Sequence, residues 1–327
     1  MNSFGQKFRI TLFGESHGEG LGVVIDGIPA GIPLSESDFE ADLARRRSSG
    51  KPGTTPRKEA DQPQILSGIF EGKTTGAPLC VTFRNENTRS TDYRNLIDHP
   101  RPSHSDWVAA MKYNHCNDYR GGGHFSGRVT LGMVVAGTVA KKILPDVSFQ
   151  TTLIEIGGEK NPERFETIIE EAVRACDSVG GIVECRAKGL PAGIGEPFFD
   201  SVESVASHLI FSVPAVKGVE FGSGFTAARM RGSEHNDPII DARGTTATNH
   251  AGGINGGISN GNEIVLRAAV KPTASIAREQ QTFNFASGQI EPLVIKGRHD
   301  ACIALRAAVV IEAALAIALA DLYLIGK

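Results

Sequence analysis

Histidines in glycine-bounded turns are the side chains of this sequence best suited to moving protons. His17 lies in the motif Gly-Glu-Ser-His-Gly at residues 14–18, and His104 lies in Arg-Pro-Ser-His-Ser-Asp at residues 101–106. Imidazole titrates near neutral pH, so such residues can act as acids or bases, although a single loop histidine is more often structural. The remaining histidines in notable positions are His124, His235, His250 and His299. Their spacing is not that of a zinc site, so the sequence predicts no metal centre.

A run of three glycines between two arginines predicts an anion site. The stretch Arg-Gly-Gly-Gly-His-Phe-Ser-Gly-Arg spans residues 120–128 and leads into a predicted helix at 126–144. The start of a helix presents unpaired N–H groups and the positive end of the helix dipole, which together suit a phosphate. A plain glycine turn capped by Ser126 is the alternative, but the two arginines favour ligand binding. The stretch lacks the Gly-Lys-Ser/Thr ending of a P-loop.

Three consecutive arginines, Arg45, Arg46 and Arg47, end a predicted helix whose N-cap is Ser35. The helix dipole favours positive side chains at this end whatever their function. Residues 48–63 follow as a long segment without apolar periodicity, which we interpret as a mobile lid over a binding site. Guanidinium groups bind carboxylate and phosphate oxygens bidentately, so we expect at least one of the three arginines to contact a substrate.

Two other polar residues have simple structural explanations. Asp300 precedes an apolar helix, so its position alone suggests a helix N-cap. Ser16 is adjacent to His17, but adjacent side chains rarely face each other, and the motif is not Gly-x-Ser-x-Gly. The sequence therefore does not predict a hydrolase triad.

The elements that must position these residues contain an internal repeat. Gly-x-Pro-Ala-Gly-Ile occurs at residues 27–32 and again at 189–194, each time after a predicted strand and before a predicted amphipathic helix. No stretch resembling a linker separates the copies. We therefore predict a single domain, residues 1–327, with two related β-turn-helix halves at about 8–145 and 150–325.

Several further elements follow from the hydrophobic pattern. The predicted strands span residues 8–13, 20–25, 181–185 and 263–270, and the predicted helices span 35–47, 126–144, 161–179, 201–211 and 303–325.

Composition limits the class of protein. The chain has 327 residues and a net charge of −3, so no overall field draws it to nucleic acid or to a membrane surface. Its five cysteines are scattered and lack CxxC spacing, which fits a reducing cytoplasm. The long apolar stretch at 303–325 contains Arg306, Glu312 and Asp321. Because a charge at the centre of a membrane costs about 2.5–3.5 kcal/mol, we predict a buried core helix and a cytoplasmic protein.

Taken in order along the chain, these motifs resemble those of the chorismate synthase family. Each is weakly specific alone, but together they cover essentially the whole sequence. The stretches that carry the resemblance are residues 13–18, 45–47, 101–106, 118–123, 249–254, 271–273 and 296–300.

The resemblance implies a reaction and a cofactor. The family converts 5-enolpyruvylshikimate 3-phosphate to chorismate, the last step of the shikimate pathway, by 1,4-anti elimination of phosphate and a ring proton. It requires reduced FMN, and some members reduce the flavin with NADPH, whereas others depend on an external flavin reductase. The implied fold is an α/β (α+β) sandwich with helices packed between antiparallel sheets, and the implied assembly is a homotetramer.

The resemblance also implies roles for individual residues. His17 would serve the substrate and the departing phosphate, His104 the flavin edge, and Asp300 with Ser16 and Ser126 the relay of the abstracted proton. Substrate contacts are expected from Arg45, Arg46, Arg47 and Arg128, with Arg46 the best match to the family pattern. FMN contacts are expected from His124, Phe125, Ser126, Pro214, Ala215, Gly256, Lys271, Pro272, Thr273, Ala274, Ser275 and Arg298.

One departure from the family pattern concerns residues 124–128, which read His-Phe-Ser-Gly-Arg where the family commonly has Arg-Ser-Ser-Ala-Arg. A permanent cation is thereby replaced by a titratable side chain. Two rival functions remain open at this point. A flavin reductase could use the same FMN pocket, and a phosphate- or RNA-binding module could use the Arg/Gly loops, although the net charge of −3 opposes the second.

Overall fold

A computed structural model of the chain describes residues 1–48, 50, 53–55, 59–86, 90–297 and 299–327, with the side chains of residues 90–92 left out. Within these residues the fold consists of two antiparallel sheets with helices between them. The fold class predicted from the sequence is therefore confirmed.

The first sheet comes from the N-terminal part of the chain. Its strands pair in the order β1-β2-β3-β7-β4, and β5 pairs with β6 in a separate hairpin. Along β3 and β7 alternate apolar side chains are buried, as expected for a sheet with one face against the core. The strands are β1 (Ser3–Phe4), β2 (Arg9–Gly14), β3 (Gly20–Asp26), β4 (Gln64–Ser67), β5 (Ile69–Phe70), β6 (Lys73–Thr74) and β7 (Leu79–Arg84).

The second sheet has the strand order β10-β13-β9-β8, and two further hairpins pair β11 with β12 and β14 with β15. Of its four strands, the sequence predicted only β9 and β13. The strands are β8 (Ser148–Ile156), β9 (Gly181–Lys188), β10 (Val216–Phe221), β11 (Ile254–Asn255), β12 (Ile258–Ser259), β13 (Ile264–Val270), β14 (Gln280–Asn284) and β15 (Gln289–Leu293).

Two long helices fill the space between the sheets. The described α-helices are α1 (Glu40–Arg46), α2 (Asp106–Lys112), α3 (Thr130–Ile143), α4 (Phe165–Arg174), α5 (Val202–Ser212), α6 (Gly232–His235) and α7 (Ala304–Ile325). Helix α3 packs against β3 of the first sheet, α7 packs against β8 and β9 of the second, and the two helices pack against each other. This arrangement places the hydrophobic core between the two sheets.

Helix α7 is long and apolar enough to cross a membrane by length and composition, but it is mostly buried inside the fold. Its two acidic residues have partners. Asp321 accepts hydrogen bonds from the backbone N–H groups of Gln6, Lys7 and Phe8, and Glu312 pairs with basic side chains of α1 and α3. The helix is thus the core helix that the sequence predicted.

The repeated Gly-x-Pro-Ala-Gly-Ile turns make the same hydrogen bonds in both copies. In the first, the Thr74 hydroxyl accepts from Ile32 N and donates to Pro29 O, at 2.9 and 2.7 Å. In the second, the Ser259 hydroxyl does the same with Ile194 N and Pro191 O, at 2.9 and 2.6 Å. The internal repeat read from the sequence is therefore a repeat of local structure.

One predicted helix is shorter than expected. The prediction spans residues 161–179, whereas the chain forms a 3-10 turn at Pro162–Arg164 followed by α4, which ends at Arg174. Cys176 adopts a left-handed φ of 55°, and a helix cannot continue through that conformation.

Candidate active site

A cavity of about 1050 Å³ lies where the glycine triplet, the C-terminal ends of α1 and α5 and the N-terminal end of α7 meet. It brings together most of the site residues predicted from the sequence. Those that line it are Ser16, His17, Arg46, Arg47, His104, His124, Phe125, Ser126, Arg128, Pro214, Ala215, Lys271, Pro272, Thr273, Ala274, Ser275 and Asp300.

Arg46 is the most deeply enclosed cation of the arginine triplet, with 3% of its surface exposed. Its Nε donates to the Thr130 hydroxyl at 3.1 Å and one terminal nitrogen donates to Gly127 O at 2.6 Å. The other terminal nitrogen has no hydrogen-bond partner among the described residues and lies 3.9 Å from a carboxylate oxygen of Asp61. Burial, reinforced by the charge of Arg306, lowers the pKa of Arg46 to about 9. The free N–H is therefore available to an anionic ligand.

Arg128 reaches the same region from the start of α3. It donates to Asp61 Oδ1 at 2.8 Å and to the side-chain oxygen of Asn85. Asp61 is itself buried and has a left-handed φ of 47°. The Asp61 carboxylate thus lies between the buried guanidiniums of Arg46 and Arg128. An anion in the cavity would add a second negative group beside these two cations.

The glycine triplet forms a turn that only glycine accommodates without strain. Gly121, Gly122 and Gly123 have φ values of 61°, 82° and 53°. A Cβ on Gly121 would lie 2.7 Å from the ring of His17 and 2.9 Å from the Ser16 hydroxyl. The turn therefore lets the backbone approach these two side chains closely.

Beyond the triplet, Ser126 caps the short 3-10 helix Gly127–Val129 that precedes α3, because its hydroxyl accepts from Arg128 N at 3.3 Å. His124 is directed to backbone and amide oxygens: Nδ1 lies 2.7 Å from Gly14 O and Nε2 lies 3.2 Å from Asn2 Oδ1. The residue that replaces the family's usual arginine is thus bound to the protein on both ring nitrogens.

The second motif histidine, His104, is paired with a carboxylate. Its Nδ1 lies 2.7 Å from Asp106 Oδ1, and Arg101 donates two side-chain hydrogen bonds to the same carboxylate, each 2.7 Å long. Burial would raise the pKa of Asp106, but the hydrogen bonds from Arg101 and His104 outweigh it and hold the pKa far below its usual value. Burial lowers the pKa of His104.

Asp300 is held by two donors at the start of the last helix. Its Oδ1 accepts from Thr55 N and its Oδ2 from Arg306, each at 2.9 Å. Arg306 also donates from Nε to Arg46 O at 2.9 Å, so one guanidinium links two predicted site residues. The N-cap position of α7 is occupied by Ile303, so Asp300 is not the N-cap that its position in the sequence suggested.

Two predicted site residues, Arg45 and Gly256, do not line the cavity. Arg45 turns away from it and pairs with Glu312 at 2.7 Å and Asp42 at 3.0 Å, because successive residues of a helix point about 100° apart. Gly256 lies in the exposed β11–β12 turn, next to the N-terminal end of α5 rather than the C-terminal end that lines the cavity. Arg298 and residues 49, 51–52 and 56–58 of the predicted lid lie outside the described residues.

Residues of this site that were not identified from the sequence include Asp61, Tyr93, Arg101, Asp106 and Arg306. Tyr93 lies edge-on to the ring of His17, with 5.2 Å between ring centroids. Asp106 follows His104 by two residues within one motif, and Arg306 is one of three charged residues in a largely apolar helix. The sequence could have identified Asp106 and Arg306, because a charge at such a position requires a partner.

The cavity wall suits a flat, partly apolar ligand that carries a phosphate. One part is apolar, with Leu12, Met133 and Val213 among its lining residues, and another part contains the buried arginines. The hydroxyl of Thr273 is buried in the wall without a hydrogen-bond partner among the described residues, so it is free to bind a polar atom. These features fit a flavin mononucleotide beside an anionic substrate.

Comparison with known proteins gives one consistent result. The family model described as chorismate synthase matches residues 8–324. A chorismate synthase from Chitinophaga pinensis is 60% identical over 328 residues, which covers 100% of this chain and 98% of the relative. One from Desulfovibrio desulfuricans is 46% identical over 356 residues, with 100% and 98% covered. A crystal structure of chorismate synthase superposes with a TM-score of 0.74 at 29% identity, covering 98% of this chain and 92% of that one.

Proposed function

The chain belongs to the chorismate synthase family, and from this premise we propose that the cavity is its active site and that it works with reduced FMN. The enzyme is a carbon–oxygen lyase of aromatic amino acid biosynthesis. It converts 5-enolpyruvylshikimate 3-phosphate to chorismate by 1,4-anti elimination of phosphate and a ring proton.

The observation that carries the proposed site is the convergence of Arg46 and Arg128, both buried, on one cavity. The substrate bears one phosphate and two carboxylates, and a buried guanidinium stabilises such groups far more than an exposed one does. The unpartnered terminal nitrogen of Arg46 supplies one donor for these oxygens. Arg47, whose Nε is also buried without a hydrogen-bond partner among the described residues, supplies another.

Proton handling falls to side chains that surround this cationic region. We assign to His17 the protonation of the departing phosphate, with Ser16 beside it. Asp300 is oriented by Thr55 N and Arg306, so its carboxylate is fixed for relay of the ring proton, with Ser126 as the hydroxyl in that relay. Preorganised groups of this kind lower the barrier because they need no reorientation during the reaction.

Reduced FMN, when bound, supplies electron density that promotes cleavage of the C–O bond. The residues that would hold it are the wall at Pro214 and Ala215, the segment 271–275, and the turn at His124, Phe125 and Ser126. In this segment the Thr273 hydroxyl supplies a free polar group, and Lys271 supplies a positive charge. His104 would lie at the flavin edge. Arg298 belongs to the same proposal by resemblance alone.

The assembly, compartment and reductant complete the proposal. By family resemblance we assign a cytoplasmic homotetramer whose flavin is reduced either by NADPH on the enzyme or by an external flavin reductase. Anaerobic mixing of the FMN-loaded protein with NADPH alone separates these two sources, because bleaching of the flavin occurs only if the enzyme accepts the hydride itself.

The decisive experiment is an anaerobic assay for chorismate from 5-enolpyruvylshikimate 3-phosphate with FMN and dithionite. We expect chorismate and phosphate in equal amounts, and no product when the flavin stays oxidised. His17→Ala and His104→Ala should each lower turnover by about 10²–10⁴, as is typical when an acid–base group is lost. Unchanged turnover in both variants would refute the proton-handling assignments, and turnover without any flavin would refute the cofactor.

A further inference from the structure

We infer that Asp106 is a positioning residue for the reaction: through its bond to His104 Nδ1 it fixes the tautomer and orientation in which that histidine faces the active-site cavity. This inference rests on the proposed function of the cavity. The carboxylate itself does not line the cavity, so it would act through the histidine rather than on the substrate or the flavin.

The first support is that the Asp106 carboxylate is fully occupied. Oδ1 accepts from His104 Nδ1 and from an Arg101 terminal nitrogen, and Oδ2 accepts from Arg101 Nε, each at 2.7 Å. The backbone N–H of Arg101 adds a fourth bond at 3.1 Å. A carboxylate with four donors around it cannot rotate, so the direction of its bond to His104 is set.

The second support is the consequence for the imidazole. An ionised carboxylate only accepts hydrogen bonds, so the proton of the neutral ring must lie on Nδ1. The other nitrogen, Nε2, then carries the lone pair and faces the glycine triplet, 3.6 Å from where a Cβ on Gly122 would be. Because Gly122 has no side chain, Nε2 remains open to a proton or to a ligand in the cavity.

The third support is the balance of charge around His104. Asp106 favours the imidazolium, whereas burial and the positive charges of Arg101 and Lys271 oppose it. Burial outweighs the hydrogen bond to Asp106, so the pKa of His104 lies below its ordinary value. Without the carboxylate, the imidazolium would lose the only negative partner that the described residues provide at this ring.

The Arg101 side chain links the same unit to a second segment of the cavity wall. It is nearly fully buried, and its remaining terminal nitrogen donates to the Ser275 hydroxyl at 2.9 Å. Ser275 belongs to the segment 271–275 to which flavin contacts are assigned. The Asp106–Arg101 pair thus ties the orientation of His104 to the position of that segment.

Asp106→Asn tests the inference, because asparagine keeps the shape but can present an N–H to Nδ1 and favour the other tautomer. In serine proteases the equivalent change leaves the geometry intact and lowers turnover by about 10⁴. We expect a fall of about 10²–10⁴ in kcat with KM changed by less than about threefold, and partial recovery in Asp106→Glu. Asp177→Asn is the matched control, because Asp177 pairs with an arginine, Arg278, at 3.2 Å without a histidine.

Two readouts keep the result interpretable. In the folded, substrate-free protein, ¹⁵N NMR of the His104 ring should show Nδ1 protonated in the wild type and the other tautomer in Asp106→Asn. The NMR measurement does not depend on turnover. A negative NMR result can therefore be distinguished from a failure of the proposed reaction. In a His104→Ala background, Asp106→Asn should cause no further loss of kcat. An unchanged tautomer, or an undiminished second loss of kcat in the double variant, would overturn the inference.

Discussion

Arg45 and Arg46 are neighbours in the sequence, yet their side chains lie in different surroundings. The Arg45 side chain is 42% exposed and bound to Glu312, whereas Arg46 is buried at the cavity with one terminal nitrogen lacking a hydrogen-bond partner among the described residues. The same residue type therefore has two environments, an ion pair at Arg45 and, at Arg46, the cavity that we propose as the active site. The difference between the two arginines can be tested by making the same substitution, arginine to lysine, at each position.

Arg46→Lys should lower kcat/KM by about 10–100-fold, because lysine keeps the charge but loses the planar fork that holds Thr130, Gly127 and an anion at once. Arg45→Lys is the control and should change kcat/KM by less than about twofold, since its partner is Glu312. Steady-state kinetics of both purified variants provide the measurement. Equal losses in the two would mean that the arginines act together and that the assignment of Arg46 is mistaken.

The site residues differ in how far the sequence alone could identify them. Short sequence motifs contain His17, His104 and the glycine triplet, so the chemistry of these residues could be predicted from the sequence. Which arginines of the triplet face the cavity depends on the rotation of the helix at its last turn, and only the resemblance favoured Arg46. Asp61 was not predicted, because a buried acid between two distant arginines is set by tertiary structure.

At the scale of elements, the glycine triplet turn lies between the two motifs that contain His17 and His104. Gly121 contacts Ser16 and His17, and Gly122 lies next to His104. Gly127 lines the same cavity, but a Cβ there would have no neighbour within 4 Å, and its φ is not left-handed. An alanine at position 121 would therefore disturb His17, whereas an alanine at position 127 would not.

Gly121→Ala should reduce turnover at least about 10-fold, because the new Cβ would displace the ring of His17 by contact at 2.7 Å and would strain a backbone with a φ of 61°. The strain alone costs about 1–2 kcal/mol. Gly127→Ala should leave turnover within about threefold. Turnover is measured together with the thermal midpoint, and a Gly121→Ala enzyme that keeps wild-type turnover would show that the close approach to His17 has no function.

Elements with a strong local pattern were predicted, and elements defined by distant pairing were not. Helices α1, α3, α5 and α7 each show a capping residue or an apolar run, so their existence followed from local sequence. Strands β8 and β10 pair with β9 and β13, which are far from them in sequence, and few of their residues are fully buried. Strand pairing of this kind is decided by the tertiary fold.

At the scale of the whole molecule, α3 and α7 hold the two sheets together at one close contact. A Cβ on Gly137 would lie 2.4 Å from Ala313 Cβ and 2.5 Å from its Cα, so the helices meet backbone to side chain. The pairing of a glycine with an alanine allows this approach. Larger side chains at the same place would push the sheets apart.

Gly137→Ala should destabilise the fold by about 1–3 kcal/mol, because overpacking at a backbone contact exceeds the gain of about 1 kcal/mol in helix propensity. Urea denaturation of wild type and variant measures the difference. Gly232→Ala is the control, since a Cβ at that helical position would meet no atom within 4 Å. A more stable Gly137→Ala protein would show that the helix contact can relax at no cost.

Glu312 provides the second link across the molecule, and it makes stability depend on pH. Burial would raise its pKa, but the hydrogen bond from Arg45 and the charge of Lys141 outweigh burial and lower it from 4.5 to about 2. A carboxylate with a depressed pKa stabilises the fold fully above its ordinary pKa, and this stabilisation is lost as the pH falls from about 4.5 towards 2. The bonds involved join α7 to α1, α3 and β8.

Comparison of wild type with Glu312→Gln isolates this contribution, because every other carboxylate titrates in both proteins. The wild type should be the more stable at about pH 5, and its advantage in the free energy of unfolding should shrink by about 2 kcal/mol between about pH 5 and pH 3. Urea denaturation at the two pH values measures it, and the same substitution at an exposed position, Glu163→Gln, serves as the control. A gap between wild type and Glu312→Gln that stays constant with pH would mean that the Glu312 carboxyl titrates alike in the folded and unfolded protein, so that its bonds to Arg45 and Lys141 do not favour the ionised form.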